Sequence, residues 1–128
     1  MKLLVDSSFF ILCADVGRDF VAVLEDYLGE CVELLVPQAV LDELRSLSGR
    51  RGRLGRLARV ALKLASQAGV VENEPSKSAD DALMESARRL NLPVLTVDRK
   101  LLQALRGEGI PAVTLSKTGR PRVILEPR

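Results

Sequence analysis

The residues in this chain best equipped for chemistry are four acids, Asp6, Glu43, Asp81 and Asp98, and no histidine accompanies them anywhere in the 128 residues. Each stands where the pattern switches between strand-like and helix-like. Val5-Asp6-Ser7-Ser8 closes an apolar run, and Glu43 lies early in a periodic stretch that follows Val36-Pro37. Asp81 stands near the start of another such stretch, and Asp98 follows Val94-Leu95-Thr96-Val97. In a sheet flanked by helices, strand C-terminal ends and helix N-termini share one rim, where α/β proteins bind ligands. Carboxylates gathered there without imidazole or thiol select a hard divalent cation bound through oxygen, Mg²⁺ or Mn²⁺.

The cost of such a gathering supports that choice. Two unit charges ~4 Å apart repel by ~4 kcal/mol at an effective dielectric of ~20. Several such pairs rival the ~5–15 kcal/mol that holds a small domain together. A divalent ion neutralises them and polarises a phosphate, so the matching reaction is in-line hydrolysis of a phosphodiester. Purely structural roles compete for each acid. Asp98, Asp80 or Asp81 could cap helices, since Asp is a favoured N-cap, and Glu43 could pair with Arg45 or Lys63. Asp6 is hardest to explain that way, because a carboxylate directly after a central apolar strand is costly unless something binds it.

The elements that must position these acids alternate. Strand-like runs are Lys2–Val5, Val32–Val36, Val94–Val97 and Ala112–Leu115, with a shorter one at Val70–Val71 and a last one at Val123–Leu125. Helix-like stretches cover Ser7–Ala14, Asp19–Leu28, Pro37–Leu47, Arg53–Ala68, Ala79–Leu90 and Arg99–Arg106. Alternation of this kind predicts an α/β fold, a three-layer α/β/α sandwich around a mostly parallel sheet. Pro37 is expected in the first helical turn, where its missing N–H does no harm. Residues 1–128 are read as a single domain, long enough to bury a core without staples.

Composition narrows the class. Hydrophobic residues at 47% beside 28% charged ones describe a globular chain rather than a disordered one. No apolar run approaches the ~20 residues of a membrane span, and no cleavable signal pattern opens the chain. Cys13 and Cys31 lack any ligand spacing, so reduced thiols in a cytoplasmic protein are expected.

The net charge of +2 conceals a separation. From Met1 to Glu43 nine acids face only Lys2 and Arg18. From Leu44 to Val71 there is no acid at all, against Arg45, Arg50, Arg51, Arg53, Arg56, Arg59 and Lys63. In Arg53–Ala68, helical spacing puts Leu54, Leu57, Ala58, Ala61, Leu62, Leu64, Ala65 and Ala68 on one side and Arg53, Arg56, Arg59 and Lys63 on the other. With Arg50 and Arg51 in the preceding loop, this stripe predicts a footprint for RNA, a polyanion. A solvated helix face is the plain alternative. Lys117 to Arg122 forms a second basic segment.

These residues resemble a PIN-domain ribonuclease along nearly the whole chain. The likeness is carried by Val5-Asp6-Ser7-Ser8, Val36-Pro37-Gln38-Ala39-Val40-Leu41-Asp42-Glu43-Leu44, Ala79-Asp80-Asp81-Ala82-Leu83 and Val94-Leu95-Thr96-Val97-Asp98. The resemblance implies an α/β/α fold whose acidic cluster binds Mg²⁺ or Mn²⁺ and cleaves single-stranded RNA. It assigns Asp6, Glu43, Asp81 and Asp98 to catalysis and metal binding, with Asp80 replacing or assisting Asp81. Ser8 and Thr96 fall where the family keeps small polar residues that orient the site. Asp6 and Asp98 would hold the principal metal, and the products would carry 5′-phosphate and 3′-hydroxyl ends.

Within the family, the Gly49–Lys63 segment, the Ala-Asp-Asp triplet and the run Gly109-Ile110-Pro111-Ala112-Val113 look more like the ribosomal-RNA-processing branch of archaea and eukaryotes. The alternative is the toxin ribonuclease of a toxin–antitoxin pair, whose partner would be an antitoxin rather than a ribosome-assembly factor. Other classes are a non-catalytic RNA-binding scaffold and a protein-interaction domain. The family commonly forms homodimers, and Asp19–Leu28 offers an apolar helix for that contact.

Overall fold

Lys2–Val5 forms the central strand, β1, and Leu3, Leu4 and Val5 are completely buried. A strand covered on both faces reads as a continuous apolar run, which this one does. The computed structural model describes residues 1–124. Within them follow α1 (Ser7–Val16), α2 (Val21–Leu28), β2 (Glu33–Pro37), α3 (Gln38–Ser48), α4 (Gly52–Ala65) and β3 (Gly69–Val71). Then come α5 (Ala79–Leu90), β4 (Val94–Leu95), α6 (Arg99–Gly107), β5 (Ala112–Leu115) and β6 (Pro121–Ile124).

The sheet order is β3-β2-β1-β4-β5-β6. All neighbours are parallel except β5 and β6, which form an antiparallel hairpin. The chain first steps outward from β1 to β2 and β3, then crosses to β4 and continues to β5 and β6. Right-handed crossovers therefore put α1, α3 and α4 on one face and α5 and α6 on the other. Packing agrees, since α1, α3 and α4 contact one another, α5 lies on β1 and β2, and α6 lies on β5. This is the three-layer sandwich the alternation predicts.

Strand order reverses between β1 and β4. The crevice outside their carboxyl ends is the topological switch point, where open α/β sheets bind ligands. Asp6 follows β1 directly and Thr96 follows β4.

Several boundaries differ from expectation for identifiable reasons. Pro37 closes β2 with extended backbone (φ −60°, ψ 145°), so the helix begins at Gln38. α2 starts at Val21 because Asp19 turns its carboxylate onto the Val21 N–H at 2.9 Å. Leu54 is 42% exposed rather than packed, and α4 buries Gly55, Ala58, Ala61 and Ala65 instead. Small residues let α4 approach its neighbours closely. A Cβ on Gly55 would collide with the carbonyl group of Arg50. The last strand runs Pro121–Ile124, and Leu125 lies outside the described residues.

Candidate functional site

Asp6 is 4% exposed and Thr96 fully buried, an unusual pair to find beneath a sheet rim. Asp6 Oδ2 accepts a hydrogen bond from Ser8 Oγ at 2.6 Å and another from Thr96 Oγ1 at 2.8 Å. Those two hydroxyls stand 3.0 Å apart. Each also accepts a backbone proton: Val97 N–H donates to Ser8 Oγ and Asp98 N–H to Thr96 Oγ1, both at 3.0 Å. Val97 thus gives its N–H to a side chain instead of a sheet ladder. β4 accordingly ends at Leu95, two residues before the apolar run does. Ser8 and Thr96 thus both hold the same oxygen of Asp6.

Asp98 caps α6, with Oδ1 accepting from the N–H groups of Lys100 (2.8 Å) and Leu101 (3.3 Å). Glu43, at the middle of α3, accepts a short hydrogen bond from Ser7 Oγ through Oε1. Ser7 is the first residue of α1, so Glu43 reaches the rim rather than joining Arg45, which pairs with Asp42 at 3.3 Å.

A common pattern emerges. Asp6, Asp98 and Glu43 each have one carboxylate oxygen pinned by protein donors, and among the described residues none donates to the other. No buried side-chain polar atom there lacks a partner. Asp6 Oδ1, which receives no protein hydrogen bond, is therefore the part of that residue open to the rim.

Asp80 completes the grouping. Partial burial and then the charges of Asp6, Asp98, Glu43 and Asp81 hold its carboxyl above the ordinary range, although the residue reaches solvent. Asp81 follows it in the same helical turn. Its backbone N–H donates to the helix cap Ser78 at 3.1 Å, and its charge is among those acting on Lys77. Sequence spacing could not separate the two aspartates, because both fall in the first turn of α5.

All the donors at this rim are oxygens, the set a hard divalent ion takes. No three acidic, thiol or imidazole side chains among the described residues close into a metal cage.

The cationic stripe is divided in its use. Arg53 forms an ion pair with Asp15 near the end of α1, and Arg59 donates to the Ser48 carbonyl at the C-terminus of α3 (2.8 Å). Arg50, Arg51, Arg56 and Lys63 make no ion pair among the described residues. Two clefts indent the surface. The larger, about 660 Å³, is walled by Phe9, Phe10, Cys13, Val60 and Leu64, with no rim carboxylate. The second, about 580 Å³, begins beside Asp98, with Val97 and Arg99 in its wall. Cys13 is buried and Cys31 exposed, both free, and burial raises the Cys13 thiol. No helix among the described residues is long and apolar enough to cross a membrane.

A mostly parallel three-layer fold with acids at its switch point defines the class, and sequence comparison agrees. Residues 3–118 match the family described as PIN like domain, and the chain belongs to that family. Among solved structures it is similar to the PIN domain endonuclease Utp24, at 22% identity and a TM-score of 0.78, with 98% of this chain and 92% of that one covered. It is also similar to a domain of a functionally unknown protein from Methanocaldococcus jannaschii DSM 2661, at 16% identity and a TM-score of 0.61, covering 90% and 91%. No curated protein sequence matches the chain.

Proposed function

We propose that this protein is a metal-dependent endoribonuclease acting on single-stranded RNA. One observation carries the reading: Asp6, Asp98 and Glu43, brought from three distant segments, each keep a carboxylate oxygen unused by the protein, with Asp80 electrostatically coupled to all three. Family membership and the likeness to an endonuclease fold support it.

In this reading Asp6 and Asp98 hold the principal Mg²⁺ or Mn²⁺, with Glu43 and Asp80 or Asp81 contributing directly or through water. A bound ion would neutralise the rim and act as a Lewis acid toward a phosphate oxygen. Ser8 and Thr96 fix Asp6 so that its other oxygen is presented outward. Hydrolysis adds water across the P–O3′ bond, leaving a 5′-phosphate and a 3′-hydroxyl. A proton must leave the attacking water. We assign its receipt to an aspartate in the first turn of α5, Asp80 or Asp81.

Arg56, Lys63, Arg50 and Arg51 are the stripe cations with charge available for RNA phosphates, while Arg53 and Arg59 already serve the fold. Such contacts position a strand without reading its sequence. Ribosomal-RNA processing remains the branch we favour over a toxin. The run Leu83-Met84-Glu85-Ser86-Ala87-Arg88 is bulky and charged, and Glu85 pairs with Lys77 at 3.1 Å.

The test is incubation of a short unstructured 5′-labelled RNA with Mg²⁺, Mn²⁺ or EDTA. Internal cleavage that requires either ion and leaves 5′-phosphate ends is expected. RNA binding that ignores the ion, without cleavage, would instead identify a scaffold.

A further inference from the structure

The second cleft differs from its surroundings in charge and in position. Its floor is apolar, built from Leu12, Leu102 and Leu115 with Pro121. Its rim carries Arg99, Lys117, Arg120 and Arg122, and no acid lines it. None of these four cations forms an ion pair among the described residues. Four uncompensated positive charges around one hollow repel one another, and an anion relieves that repulsion. Val97 and Arg99, the neighbours of Asp98 on either side, both belong to its wall. The cleft thus adjoins the chain segment that carries Asp98, although the Asp98 side chain does not line it.

The hairpin that supplies three of the cations is held in shape. Ser116 N–H donates to the Arg120 carbonyl at 3.0 Å, and Gly119 N–H to the Ser116 carbonyl at 2.9 Å. Arg120 N–H donates to Ser116 Oγ at 3.2 Å. Gly119 takes the left-handed conformation (φ 83°) and lies against the Phe20 ring, where a Cβ would come within 3.1 Å. None of these bonds uses the side chains of Lys117, Arg120 or Arg122, which are left to face a ligand.

We propose that this cleft holds one unpaired nucleotide of the RNA flanking the scissile phosphate, its base on the apolar floor and its backbone phosphates among Arg99, Lys117, Arg120 and Arg122. An unpaired base offers a flat apolar face that a paired one withholds, and guanidinium planes stack on it. The cleft thus selects single strands, and it anchors the substrate on the β5–β6 side of the acids in addition to the α4 stripe. The identity of the anion rests on the nuclease reading above.

The experiment measures binding of a short labelled single-stranded RNA by anisotropy, in EDTA, across a salt series. Wild type is compared with the double variant Lys117→Ala/Arg120→Ala and with Lys117→Glu alone, whose folding is checked by melting temperature. Affinity is expected to fall at least tenfold at low salt in the double variant. The slope of log affinity against log salt should flatten by about 0.7 for each phosphate the variant no longer neutralises. Binding of a duplex of the same sequence should change far less. Equal affinity and slope in wild type and both variants would overturn the proposal. So would a melting-temperature gain from inorganic phosphate that the variants lose while their RNA affinity stays intact, since that describes a free-anion site. Because binding is read without metal, a wild type that binds through the cleft yet never cleaves with Mn²⁺ defeats the nuclease reading and leaves the cleft standing.

Discussion

Thr96 donates its hydroxyl to Asp6 at 2.8 Å, tying the ends of β1 and β4 together across the point where the sheet changes direction. That bond, with its twin from Ser8, decides which oxygen of Asp6 the protein uses and which it leaves for a ligand. Thr96→Val keeps the shape but removes the donor to Asp6 and strands the Asp98 N–H. The expected cost is about 1–3 kcal/mol of stability, the penalty for an unsatisfied buried group, with a loss of cleavage that Thr96→Ser restores. Denaturant unfolding beside cleavage rates checks both, and a Val variant as active as wild type would remove the orienting role.

Asp6→Asn should abolish cleavage, by at least a hundredfold, while the protein still folds. The variant loses a charge-assisted pair of hydroxyl bonds but also sheds repulsion from Asp80, Asp98 and Glu43, so metal-free stability should change little. Cleavage in Mn²⁺ and thermal melting in EDTA, measured on one preparation, separate a chemical from a folding defect.

Asp80 gives a pH dependence with a definite sign. Its carboxyl is raised in the folded state by partial burial and by Asp6, Asp98, Glu43 and Asp81. The folded protein therefore binds this proton more tightly than the unfolded chain. Between the ordinary aspartate range and the raised value, metal-free stability falls as pH rises, and acidification through that window recovers it. Asp80→Asn should lose this acid-side gain, whereas Asp81→Asn should retain most of it. Melting temperature against pH in EDTA reads the difference, and the same two variants in Mn²⁺ tell which aspartate cleavage needs.

Gly55→Ala should be severely destabilising for its size. The added methyl meets the Arg50 backbone, which cannot swing away as a side chain could, so a penalty at the upper end of about 1–3 kcal/mol is expected. Ala58→Gly in the same buried face provides the contrast, costing about 1 kcal/mol through helix propensity and a missing methyl.

Much of this was legible beforehand because the signals were local. Alternating runs declared the sandwich, and Asp6 and Asp98 stand directly after or just beyond the ends of β1 and β4, as the switch between patterns places them. Boundaries near the site were less legible for the reason that makes it a site. Val97 looks like strand by composition, yet the Ser8 hydroxyl takes its N–H and ends the ladder. Leu54 fits an apolar helical face by angle, but close packing around Gly55 and Ala58 leaves it outside. The engagement of Arg53 with Asp15 and of Arg59 with Ser48 needed the tertiary fold, since each partner lies on another helix. Asp80 and Asp81 differ by one residue, about 100° around the helix, and both fall in the first turn of α5, so spacing alone does not choose between them.

Direct titration of Mn²⁺ into the metal-free protein, followed by melting temperature, bears on the core of the account. An ion that binds only the folded form raises stability by RT ln(1 + [Mn²⁺]/Kd), about 2.7 kcal/mol at a hundred times Kd. Wild type should gain melting temperature with added Mn²⁺, and Asp6→Asn and Asp98→Asn should each lose most of that gain. A wild type indifferent to Mn²⁺, or variants that gain as much as it does, would contradict the claim that these carboxylates share an ion.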